Sequence, residues 1–305
     1  MRIVSMLPGA TEMVYLLGLG EQLYGVSHEC DYPLAARTKR KVTRSPFDSH
    51  SLSSAEIDQI VTQTLAEGRE LYHVDAEVLG ELRPDLVLTQ GLCDVCAVSV
   101  RAVKSSLSTC PTVLSLDAGS VEEVLSDIQR VAAAAGVSES GVEVTRELRV
   151  RLASVRRGTA GLPPRKVVCL EWLDPLYNAG HWVPEMVEIA GGVEMLSRKG
   201  AHSRRLEWNQ VVEAAPNVLL LMPCGFGPHR SLEELRLLRR LPGWEDLPAV
   251  REGEVWAVDS NSYFSRPGPR LIDGVELTAR ILHPDRFGAP EPSAAMRATE
   301  TTAGR

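Results

Sequence analysis

No run of about twenty apolar residues occurs anywhere in the 305-residue sequence, which excludes a membrane-spanning helix. A basic excess is also missing. The 33 Lys and Arg against 40 Asp and Glu leave a net charge of -7, so the electrostatic footprint of a nucleic-acid binder is absent. Residues 1–8, MRIVSMLP, lack both the apolar core and the small-residue cleavage site of a secretory signal, and predict a cytoplasmic protein. In that compartment thiols stay reduced, so the six cysteines read as metal-binding, redox or packed groups and not as a disulfide framework. Aromatic residues make up only 5% of the chain, so the places where they gather carry information.

What is present is a chain with 44% hydrophobic residues, long enough for two packed cores. Short continuous Val/Ile/Leu runs at 3–5, 23–27, 85–89 and 112–116 alternate with helical periodicity at 9–17, 55–67, 74–82 and 97–107. Such runs are expected of parallel strands buried on both faces. From Ser120 a long helical stretch begins, with a break allowed around 136–141 and a stop at Pro163-Pro164. The alternation then resumes, with strands at 166–170, 218–222 and 254–258 and helices at 182–190, 207–215, 232–240 and 269–282. The predicted fold is α/β, two doubly wound Rossmann-like lobes joined by a long linking helix. The lobes span 1–118 and 165–288, the linking helix 119–164, and a disordered tail 289–305, where little remains to bury.

Cys30, Cys93, Cys96 and Cys224 fall where an apolar run gives way to a loop. In open parallel sheets the carboxyl ends of strands face the ligand crevice, so loops from both lobes would meet across it. Thiolates suit zinc or iron-sulfur clusters, and a pair separated by two residues can chelate one metal. With Cys30 and the neighbouring His28 the set reads as a metal site; the other reading is reduced thiols that only pack. Cys110 and Cys169 border or lie in apolar strands and read as core. His181 stands just ahead of a helix with Glu185 four residues on, where imidazole and carboxylate share a face. His181 then serves either as an axial ligand to cobalt or haem iron with Glu185 orienting its ring, as a ligand of a cysteine-held metal, or as a helix cap. Arg266, beside Tyr263-Phe264, faces an anionic or amide-bearing ligand edge or pairs with Asp259 or Asp273. His202 and the other histidines read as surface or capping residues.

The opening strand, the Pro-Gly-Ala-Thr-Glu helix start, Leu-Gly-Leu-Gly and Cys30-Asp31-Tyr32-Pro33 are followed by Glu77, Leu79, Leu82 and Arg83-Pro84-Asp85-Leu86-Val87-Leu88. In this pattern, over residues 1–288, the chain resembles the class III periplasmic-binding-protein family of iron-complex and vitamin B12 receptors. The resemblance implies a ligand such as a corrinoid, haem or ferric siderophore held between two lobes by strand-end aromatics. Tyr32, Phe47, Trp172, Trp182, Tyr263 and Phe264 lie on the corresponding loops; ordinary packing is the other reading of each. It further implies one surface carboxylate per lobe for docking to an ABC permease. Glu77 matches the first, while the second position falls at Asn209, with Glu207 two residues before it. That departure, with the missing secretion signal, speaks against permease docking.

Three functional readings follow. The leading one is a cytosolic, signal-less, cobalamin-binding-like protein that captures a corrinoid or related metal-chelate cofactor without chemistry. The second is a metalloprotein or enzyme with a Cys/His-held zinc or iron-sulfur site; no nucleophile-base-acid triad supports catalysis otherwise. The third is the substrate-binding component of an ABC importer.

Overall fold

The computed structural model describes residues 1–49, 51–91 and 110–298, and the chain divides into two compact units. The first comprises Met1–Ala118, Glu122–Glu147 and Pro267–Pro269; the second comprises Gly119–Val121, Leu148–Arg266 and Arg270–Arg305.

In the first unit β1 (Ile3–Ser5), β2 (Leu23–Val26), β3 (Arg40–Lys41), β6 (Leu86–Thr89) and β7 (Thr112–Ser115) form one parallel sheet in the order β3-β2-β1-β6-β7. A small antiparallel pair, β4 (Thr43–Arg44) with β5 (His73–Val74), lies apart from it. The sheet winds outward from β1 in both directions, so its topological switch lies between β1 and β6. Val4, Met6, Val42, Leu79, Leu82 and Val87 pack into one core. Each such fully buried aliphatic side chain contributes roughly 1.5–3 kcal/mol. Helix starts follow local chemistry: Ser53 and Glu56 form a capping box on Ser54–Ala66, and Asp75 accepts from the Val78 amide to open Ala76–Leu82. That cap explains why the helix begins two residues later than its apolar pattern at 74–82. The helix expected at 97–107 lies outside the described residues.

The second unit carries a six-stranded sheet. β10 (Gly192–Glu194), β8 (Arg165–Leu173), β11 (Val218–Leu221) and β12 (Val255–Val258) are parallel neighbours, with β9 (Leu176–Asn178) folded back antiparallel on β8. The chain leaves β8 toward β10 on one side and returns to β11 on the other, so the switch lies between β8 and β11. Leu170, Leu219, Leu221, Leu235, Trp244 and Ala257 belong to its main core.

Two expectations are corrected. The stretch 119–164 is not one helix: Val121–Ala134 and Ser138–Thr159 are separate, divided where Gly136 takes a left-handed φ of 77°. Glycine reaches that conformation without steric cost. The second helix is shared, with 138–147 in the first unit and 148–159 in the second. Nor is 289–298 a disordered tail. Ala295–Arg297 forms β13, antiparallel to β12, where Arg297 lies 4.6 Å over the Trp256 ring and 3.2 Å from Glu254. A three-residue edge strand has too short an apolar pattern to announce itself. Residues 299–305 lie outside the described residues.

Candidate functional site

In the first unit the loop after β2 is held by side chains. Thr11 Oγ1 donates to Cys30 Sγ at 3.1 Å, and Lys41 Nζ donates to the Ser27 and Cys30 carbonyls at 3.3 and 3.0 Å. The His28 amide donates to Thr43 Oγ1 at 3.0 Å, while its ring Nδ1 lies 2.7 Å from the same oxygen. Tyr72 packs its ring 5.2 Å from the imidazole, and Glu29 lies 3.5 Å from Nε2. Burial lowers the His28 pKa, with Lys41 adding to the effect and Glu29 opposing it. Burial likewise pushes the Cys30 thiol up, and the residue is 1% exposed.

Among the described residues no three His, Cys, Asp or Glu converge on a metal position. Cys93 and Cys96 lie outside the described residues. Cys224 is exposed in the loop after β11, and Cys169 is buried in β8 as expected. Cys110, expected as core, is exposed: it stands ahead of β7, a strand whose own residues are only partly covered. Of the other first-unit candidates, Tyr32 is 48% exposed, Phe47 is half-buried beside Ser45, whose hydroxyl donates to its carbonyl, and Glu77 is exposed.

The second unit gathers its aromatic surface at the switch between β8 and β11. Trp172, at the carboxyl end of β8, packs against Phe226 from the β11 loop with ring centres 5.3 Å apart. The Arg230 guanidinium lies 3.6 Å over the Phe226 ring, from the first turn of Pro228–Leu238. Such stacking fixes the plane of the guanidinium. Arg230 was not singled out in the sequence; a cation three residues after a helix-starting glycine gives no signal until its aromatic partner is placed. Tyr263 is half-buried, with the Arg270 guanidinium 5.9 Å from its ring.

Other expectations fail here for a common reason. Trp182 and Phe264 are 6% and 3% exposed, and the Trp182 indole donates to the Phe264 carbonyl at 2.7 Å, so both serve the interior and present no face to a ligand. Glu185 does not orient His181: it accepts from Lys199 Nζ at 2.6 Å and from the Val121 amide at 2.8 Å. Arg266 is 8% exposed; Asp259 instead caps the Ser262 amide and Asp273 pairs with Arg151. Asn209 is exposed, and the amide of Glu207 is capped by Gln210 at 3.0 Å.

His181 has a left-handed φ of 54° and is held by its backbone. Its amide donates to the Ala201 carbonyl at 2.6 Å, and its carbonyl accepts from Gly200 at 2.8 Å. Its ring meets Trp182 at 5.6 Å and, edge-on, His202 at 4.9 Å. Burial, then the neighbouring His202, lowers its pKa and keeps the imidazole neutral. The loop carrying His202 is anchored by Glu194, which accepts from the Cys169, Leu196 and Ser197 amides, and by Asn178, which bridges the Leu196 carbonyl and the Arg204 amide. Burial raises the Glu194 carboxyl to about 7 despite those three donors.

The family model described as periplasmic binding protein matches residues 3–262. An uncharacterised ABC transporter substrate-binding lipoprotein of Bacillus subtilis is 27% identical over 94% of this chain and 81% of its own length. The vitamin B12-binding protein of Vibrio cholerae is 24% identical over 92% of this chain and 88% of its own. Among solved structures, the periplasmic haem-binding protein of Roseiflexus superposes with a TM-score of 0.69 at 23% identity, covering 92% of this chain and 97% of that one. That last likeness is one of fold.

Proposed function

Because the chain belongs to the periplasmic binding protein family, we propose that it is the solute-binding component of an ABC importer and carries a metal-centred macrocycle of the cobalamin or haem class. The observation that carries this reading is the half-buried Trp172 and Arg230 at the β8/β11 switch, both packed on the buried Phe226 ring. Ligands of open α/β sheets bind outside the carboxyl ends of strands at such a switch. An indole offers a flat apolar face, and a guanidinium offers a positive charge toward the carboxylate edge of a macrocycle. Tyr263, with Arg270 at its ring, supplies a second pairing of the same kind.

Absorption titration of the untagged chain with cyanocobalamin and with haemin tests the reading. A saturable spectral change with one of them is expected, and Trp172→Ala weakens it about tenfold or more, the effect of losing a stacking aromatic anchor. No binding of either ligand overturns the proposal. Cell fractionation decides location: an importer receptor works outside the membrane that holds its permease, whereas recovery from the cytoplasm removes the importer role and leaves intracellular ligand capture.

A further inference from the structure

His181 and His202 are 21 residues apart in sequence, yet their rings lie 4.9 Å apart at an interplanar angle of 86°. Imidazole nitrogens bind divalent d-block ions at about 2.0–2.1 Å. Two imidazoles sharing one ion then have ring centres roughly 4.5 Å apart at a right angle and about 5.2 Å apart at the tetrahedral angle. The observed separation falls between those limits. We propose that His181 and His202 form a two-imidazole site for a hydrated divalent d-block cation such as Cu²⁺, Ni²⁺ or Zn²⁺.

The surrounding structure is suited to that role. The backbone clamp between 181 and 200–201 fixes where both rings start, so binding costs little ordering. A non-glycine residue at φ 54° is strained by about 1–3 kcal/mol, and the two flanking hydrogen bonds hold it there. The His181 ring meets the Trp182 and His202 rings. Glu185, four residues after His181, is engaged by Lys199 Nζ at 2.6 Å and by the Val121 amide at 2.8 Å. This site stands apart from macrocycle capture. A planar macrocycle fills the equatorial positions of its metal and leaves axial ones on opposite faces, whereas this pair needs two adjacent positions.

The test is Cu²⁺ titration of the untagged full-length protein, followed by electron paramagnetic resonance. The expected result is one tightly bound ion whose spectrum carries coupling to two imidazole nitrogens. His202→Gln, at an exposed position, and His181→Asn, a residue that tolerates the left-handed conformation, each remove one nitrogen from that coupling and weaken this ion at least tenfold. His229→Gln, at an exposed histidine elsewhere, leaves it unchanged. Circular dichroism verifies that each variant is folded, and His202→Gln alone decides if His181→Asn is not. A wild-type spectrum without two-nitrogen coupling, or coupling and affinity unchanged in His202→Gln, overturns the proposal.

Discussion

The loop after β2 in the first unit and the paired segments 179–183 and 197–206 in the second are fixed in different proportions by side chains and by backbone. In the first, side chains reach both backbone and side chains of the loop: Lys41 on two carbonyls, Thr43 on the His28 amide and ring, Thr11 on the Cys30 thiol. In the second, backbone pairs with backbone, through His181 with Gly200 and Ala201 and through Ala179 with Cys169 at 2.9 Å, and the Glu194 and Asn178 side chains hold the ends of the His202 loop. The difference decides which residues are left for ligands. Cys30 and His28 hold their own loop in place, whereas the rings of His181 and His202 meet each other.

The largest effect that would break this contrast is at Gly180. A Cβ there would come within 2.5 Å of the Ser203 amide nitrogen and 2.6 Å of the Ala201 carbonyl oxygen, both backbone atoms that cannot swing aside. Gly180→Val should cost about 3 kcal/mol or more of unfolding free energy in urea denaturation and separate the two histidines.

A smaller effect is pH-dependent. The Glu194 carboxyl titrates at about 7 when folded, above its ordinary 4.5, so between those values the folded chain keeps a proton that the unfolded chain releases. Stability from this group is therefore full below the ordinary carboxylate value, falls as pH rises through that window and is level above it. Glu194→Gln should flatten this component of a stability profile taken from about pH 4 to about pH 8. The smallest effect belongs to the side-chain-held loop. Thr11→Val keeps the shape and removes one hydrogen bond to Cys30, costing about 1 kcal/mol by the same denaturation measurement. A Thr11→Val loss as large as that of Gly180→Val would erase the distinction between the two loops.

The strands β1, β2, β6–β8, β11 and β12 were legible in the sequence because each is a continuous apolar run, and the break at Gly136 was legible as punctuation. The two-residue strands, β9, β10 and β13 were not, since their pairing comes from partners brought close by folding. The same holds for the site. Trp172 was found as an aromatic at a strand end, but Arg230 acquires meaning only from Phe226 beneath it, and His202 only from His181. Trp182 and Phe264 looked alike in sequence to Trp172 and Tyr263; burial and the hydrogen bond between the Trp182 indole and the Phe264 carbonyl distinguish an interior lock from a half-buried face.

Hydrogen-deuterium exchange of the full chain with and without saturating cobalamin or haemin tests the placement of the ligand most directly. The account predicts ligand-dependent protection of the segments carrying Trp172 and 223–230, at the carboxyl ends of β8 and β11. A ligand that binds while leaving both segments unchanged would contradict it.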